Sequence, residues 1–263
     1  MFDFNIYIKI CLQQFMIKKF FEYLVQADFE PIQSFYLQDE LNPKVWTDYV
    51  IDEETREKLV KIANDYFESL ELGDVNLKDI MLTGSNCNFN WSEYSDFDLH
   101  LVMDFSDIND DVELVKKYLD SSGKVWNSQH EISINGYDVE IYSQDINEEH
   151  TSSGEYSLMN DKWIKKPSKQ DFTPDEDLIR KKSKLLMESI DDMESDLEED
   201  IEYDDLMINL KKVWKKIKEG RKAGLEKEGE FSIENLVFKL LRRNGYIQKI
   251  MDIRRKAYDK QFK

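Results

Sequence analysis

Residues 80–103 constrain this chain more tightly than any other stretch: Ile80-Met-Leu-Thr-Gly84-Ser85, a polar segment, then Asp96-Phe97-Asp98-Leu99-His100-Leu101. The apolar run from Ile80 to Leu82 reads as a buried strand. It stops at Gly84-Ser85, where small residues let the backbone approach a ligand closely. Alternate side chains of a strand share a face, so on the next strand Asp96, Asp98 and His100 point one way. Phe97, Leu99 and Leu101 point the other way, into a core. Two carboxylates one strand step apart repel each other unless a cation lies between them. Mg²⁺ takes oxygen ligands and is usually held by one or two carboxylates plus substrate phosphates. Asp-x-Asp alone is more often the solvated face of an edge strand, so its companions decide.

A third carboxylate is available in Gly136-Tyr-Asp138-Val139-Glu140-Ile141-Tyr142. Asn135-Gly136 between alternating apolar residues is a strong hairpin signal, joining 130–134 to 137–142. Glu140, between Val139 and Ile141, then lies on a strand able to run beside the one bearing Asp96 and Asp98. Asp138 shares its face and is the alternative.

A strand ending in Gly-Ser, ten residues, Asp-x-Asp between apolar residues and a later apolar-flanked carboxylate resembles the signature of the DNA polymerase β-like nucleotidyltransferase superfamily. The resemblance covers about residues 75–145. It implies two Mg²⁺ ions held by Asp96, Asp98 and Glu140, and in-line transfer of NMP from an NTP to an acceptor hydroxyl. Gly84 and Ser85 would meet the triphosphate, helped by the start of a following helix. Ser95 just before Asp96 also looks like the small antitoxin nucleotidyltransferases, which modify a partner protein with AMP. Leu41-Asn-Pro43-Lys-Val-Trp46, with the Ser152-Ser153-Gly154-x-Tyr156-Ser157 segment, is similar to nucleotidyltransferase-like proteins of bacteriophages. Ser152, Ser153, Gly154 and Tyr156 suit contact with phosphate or ribose; a capped turn with Tyr156 packed on the sheet is the alternative. Lys165 and Lys166 either neutralise phosphate or face water, and Asn86, Asn88, Asn90 and Trp91 either shape nucleotide choice or fill a tight turn. For His100 a supporting or core role is preferred over direct catalysis.

Charge is unevenly spread. The whole chain carries −19, which argues against nonspecific coating of nucleic acid. Residues 205–263, with 17 basic and 8 acidic side chains, run the other way. Lys211, Lys212, Lys215, Lys216, Lys218, Arg221 and Lys222, then Arg242-Arg243, Lys249 and Arg254-Arg255-Lys256, suit an RNA or DNA end. They suit equally well an internal pairing with the acidic run 191–205. Cys11 and Cys87 lack partners at zinc spacing, so neither a disulfide framework nor structural zinc is expected, and a reducing cytoplasm (a host's, for a phage protein) is the default. Residues 1–25 are too interrupted by charge for a transmembrane span, and no membrane partner is expected.

Periodicity divides the chain into an N-terminal helix and extended lead-in (1–50), a nucleotidyltransferase core (51–170) and a helical C-terminal domain (171–263). Helices are expected over 4–26, 53–72 with Asp52 as cap, and 107–119 ended by Ser121-Ser122-Gly123. Further helices are expected over 175–196, 203–222 with Gly220, Gly224 and Gly229 marking a turn region, 233–243 capped by Ser232, and 246–262. The fold class is α+β, a mixed sheet with flanking helices followed by an all-helical part. The activity expected is Mg²⁺-dependent nucleotidyl transfer, with a nucleic-acid 3′ end narrowly preferred over a protein hydroxyl as acceptor. A non-catalytic module of the same fold, serving as a structural or interaction protein, is the alternative from another class; the intact carboxylate set speaks against it.

Overall fold

A short extended lead-in closes on the two-stranded ladder of β1 (Trp46–Thr47) and β2 (Val50–Ile51). The computed structural model describes residues 31–148, 152–198 and 203–262, and all that follows belongs to the unit Ser34–Lys263. The helix expected over 4–26, and Cys11 within it, lie outside the described residues. Helix α1 (Glu53–Ser69) starts at Asp52, whose carboxylate accepts from Thr55 N at 2.9 Å and Thr55 Oγ1 at 2.8 Å. Those bonds satisfy a donor the first turn leaves free.

β3 (Leu77–Thr83) and β4 (Asp96–Met103) run antiparallel at the centre of a six-stranded mixed sheet. Helix α2 (Val112–Gln129) crosses over to the hairpin of β5 (Ser133–Ile134) and β6 (Tyr137–Asp145), and β6 lies parallel to β4. The hairpin turn is Asn135-Gly136, with φ of 55° and 85°, the left-handed pair that Asn-Gly favours. β7 (Glu155–Ser157) and β8 (Lys162–Lys165) extend the other edge, giving the order β5-β6-β4-β3-β7-β8. Phe97, Leu99, Leu101 and Ile141 are essentially sealed from water in one apolar cluster that also takes in Tyr66 of α1 and Leu119 of α2. Each such side chain contributes about 1.5–3 kcal/mol. With that face closed, the carboxylates of β4 and β6 are left to the other.

Two helix boundaries differ from the periodicity. The helix expected over 107–119 starts at Val112, capped by Asp111, and runs on through Ser121-Ser122-Gly123. Both serines turn their hydroxyls back onto the helix, to Lys117 O and Tyr118 O, so they break nothing. Gly123 is there for packing, since a Cβ would lie 3.3 Å from Ile141 O. Likewise the helix expected over 203–222 does not turn at Gly220 or Gly224.

The C-terminal part is four helices, α3 (Glu176–Glu198), α4 (Tyr203–Glu228), α5 (Ile233–Arg243) and α6 (Tyr246–Lys260), packed on one another. Their buried side chains include Ile179, Leu210, Leu241 and Ile253. Gly224 stays inside α4 because a Cβ there would come within 2.7 Å of Ser232 Oγ. Of the three glycines expected to mark the turn, Gly229 is where the chain turns, with φ of 72°. Ser232 does sit at the N-cap position of α5, but its hydroxyl makes no capping bond and is buried without a partner among the described residues.

Candidate active site

Parallel pairing of β4 with β6 sets Asp98 opposite Glu140 and Asp96 opposite Asp138. One carboxylate oxygen from each of Asp96, Asp98 and Glu140 lies within 4.8 Å of the others. Asp138 lines the same cleft but stands outside that triad. Burial, then the charges of Asp96 and Glu140, push Asp98 up to about 7; Lys239 and Arg242 pull the other way. No hydrogen-bond donor reaches the Asp98 carboxylate among the described residues. Glu140 is gripped at both oxygens: Oε1 accepts from Arg242 at 3.1 Å and Oε2 from the Tyr142 hydroxyl. Burial, with Asp98 and Glu140 close by, raises Tyr142, so the phenol keeps its proton and donates. His100 stacks on the Tyr142 ring, centroids 5.1 Å apart, which fits a supporting role.

The triad faces a cleft of about 620 Å³ whose far wall is cationic. Arg221 of α4 and Lys239, Arg242 and Arg243 of α5 line it. Arg242 reaches Asp96 at 3.2 Å and Glu140 at 3.1 Å. Arg243 lies over the rings of Phe35 and Tyr94, and Arg221 donates to Asn235 at 3.1 Å. Burial pushes Lys239 down, and it makes no ion pair or hydrogen bond among the described residues. The sequence pattern offers Arg242 and Arg243 either to a nucleic acid or to an internal acidic run, and gives Lys239 no part in either. The signal available is the helical i, i+3 spacing of Lys239 and Arg242, each adjoining apolar residues.

Gly84 has φ of 77° and ψ of −162°, a region other residues rarely enter, and a Cβ on it would lie 1.9 Å from Asp98 Oδ2. The close approach expected of this glycine is thus to Asp98 itself. Ser85 and Ser95 share a hydroxyl hydrogen bond of 2.8 Å, and Ser95 Oγ also accepts from Ser92 N. Both serines line the cleft. No long helix follows Gly-Ser; Ser85–Cys87 is a single 3₁₀ turn whose Gly84 and Ser85 carbonyls are used within it. Asn86 is buried and ties the turn to Asn42 and to Asp96 O, while Trp46 donates to Asn86 O. These asparagines brace the turn.

Glu230, between α4 and α5, anchors the helical part to that turn. Its carboxylate accepts from Asn88 at 2.9 Å, Asn90 at 2.5 Å and Ser153 at 2.6 Å. Glu230→Ala is expected to cost about 3 kcal/mol, because three donors, those of Asn88 and Asn90 buried, lose a charged acceptor at once. Urea unfolding with unchanged slope checks it.

Several candidates fall away from the cleft. Tyr156 is buried, its ring set against Trp46 and Trp163 and its hydroxyl donated to Asp161 at 2.5 Å. It does not line the cleft, so the assignment as a nucleotide contact is corrected to the packed-on-the-sheet alternative. Ser153 is taken by Glu230, Gly154 packs so tightly that a Cβ would sit 1.9 Å from Cys87 O, and Lys165 donates to Ser152 O at 2.6 Å. Lys166 covers the Tyr49 ring at 3.7 Å. Within the acidic run, Asp191 and Glu194 pair with Lys249 at 2.7 and 2.5 Å. No helix among the described residues is long and apolar enough to cross a membrane. No protein-family model matches this chain, and neither a curated protein nor a solved structure does.

Proposed function

We propose that this protein is a Mg²⁺-dependent nucleotidyltransferase of the DNA polymerase β-like kind, moving an NMP from an NTP to the hydroxyl of a nucleic-acid 3′ end. In this reading the mixed sheet with α1 and α2 is the nucleotidyltransferase fold, and α3–α6 form its helical C-terminal domain. The observation that carries it is the pairing of three converging carboxylates with a cationic wall across one cleft.

The donor set suits the ion. Three carboxylates from adjacent strands, one of them raised to about 7 by burial and by its two acidic neighbours, match a hard cation that takes oxygen ligands. Bound there, Mg²⁺ would supply Lewis-acid activation of the acceptor hydroxyl and neutralise charge on the leaving pyrophosphate. Asp96, Asp98 and Glu140 would hold it. Tyr142 fixes the Glu140 carboxylate in place. Lys239 and Arg221 offer positive charge to a polyphosphate across the cleft, and the Gly84-Ser85 turn closes its floor. Lys211, Lys212, Lys215 and Lys216 are exposed along α4, where an anionic chain can lie.

The test incubates the protein with Mg²⁺ and each α-labelled NTP, offering cellular RNA and a protein extract as separate acceptors. Label is expected in RNA, and Glu140→Gln should lower its rate at least about a hundred-fold. Label in a protein band instead would make the acceptor a protein hydroxyl. No label with any nucleotide, from protein that also fails to bind Mg²⁺–NTP, would leave a non-catalytic module.

A further inference from the structure

Arg242 stands where a divalent cation would bind. It belongs to α5, yet its Nη2 donates to Asp96 Oδ2 at 3.2 Å and to Glu140 Oε1 at 3.1 Å, spanning two strands of the sheet. One nitrogen bridges these two acids and leaves the third alone, since Asp98 has no donor among the described residues. The contact is therefore a partial substitute for a cation that could touch all three.

It is also a replaceable one. The Arg242 side chain is 56% exposed, so water screens its attraction to both acids. Among the described residues, the guanidinium pairs with those two carboxylates and nothing else pins it. Arg221 and Arg243 on the same wall repel it.

We propose that Arg242 is a tethered counter-cation for Asp96 and Glu140 in the metal-free protein, and that a divalent cation binds this cleft by displacing it. The inference rests on the triad being a metal site. It makes the C-terminal helices a competitor of the metal for the acids, not only a wall for the substrate. Metal binding then breaks the two ion pairs joining α5 to the sheet, and whatever draws Arg242 aside favours metal by the same factor.

Mn²⁺ binding to the full chain, measured by calorimetry without nucleotide, separates the possibilities. Arg242→Gln is expected to bind Mn²⁺ about five-fold more tightly than the parent, the effect of removing a weak, exposed competing pair. Lys239→Gln removes the same charge from the same wall but breaks no bond to the acids, and should change the affinity by less than about two-fold. Equal tightening in both variants would mean a general field effect, and unchanged or weaker binding in Arg242→Gln would mean no competition; either overturns the displacement. Parent and variant that both fail to bind Mn²⁺ would remove the metal site itself and the inference with it. Parent and variant that bind equally would leave the metal site standing and sink this inference alone.

Discussion

Asp98→Asn is expected to raise the melting temperature of the metal-free protein at pH 8 by about 5 °C and to weaken divalent-cation binding at least about a hundred-fold. Both effects have one source. Burial and the charges of Asp96 and Glu140 raise the Asp98 carboxyl to about 7, so the folded chain holds its proton more tightly than the unfolded chain does. Unfolding then releases a proton between about pH 4 and 7, and stability falls as the pH rises through that window. At pH 8 the parent carries the full penalty, on the order of 2 kcal/mol once coupling to its neighbours is allowed for. Asn keeps the shape and discards the charge. Below pH 4 the advantage should vanish, because Asp98 is then protonated in both states. A carboxylate that costs stability and is kept in an apolar-backed strand makes sense only if something cationic uses it. A melting curve for Asp98→Asn at pH 8 no higher than the parent's would show that the three acids do not repel one another as argued, and would remove the electrostatic case for a cation.

The strands of the site were legible because their pattern has a period of two and one face is sealed. Phe97, Leu99 and Leu101 have no freedom to face water, so Asp96 and Asp98 must face the cleft. Asn135-Gly136 fixed the hairpin, and the hairpin fixed the register of Glu140. Serines and glycines inside helices misled for a common reason. Ser121, Ser122, Gly123 and Gly224 look like breakers by propensity, but a hydroxyl can bond back to its own helix and a glycine can mark close packing. Neither use is visible without the neighbour. Tyr156 was drawn to the nucleotide by its hydroxyl and the small residues before it, whereas Trp46 and Trp163, more than a hundred residues apart in sequence, supply its actual surroundings. The cationic wall was the least legible part. Arg242 meets Asp96 across 146 positions, and no local pattern on α5 says which surface that face will cover.

Gly84→Ala should cost the fold about 3 kcal/mol and the site its metal affinity by at least about ten-fold, a loss larger than that of any substitution elsewhere in the turn. Gly84 pays twice when given a side chain. Its backbone, at φ 77° and ψ −162°, lies where an alanine is strained, and the new Cβ would lie 1.9 Å from Asp98 Oδ2 and 2.9 Å from Asp98 Cγ. The strand pairing holds Thr83 opposite Asp98, so the backbone cannot back away, and the carboxylate must rotate out of the triad. Gly73→Ala separates the two causes. Gly73 also has positive φ, at 68°, but nothing lies within 4 Å of its would-be Cβ. That variant should lose about 1 kcal/mol to backbone strain and leave Mn²⁺ binding untouched. The difference between the two variants isolates the displacement of Asp98. Should both lose stability equally and bind Mn²⁺ like the parent, the Gly84–Asp98 contact would have no part in holding the site, and the glycine would be needed for the turn alone.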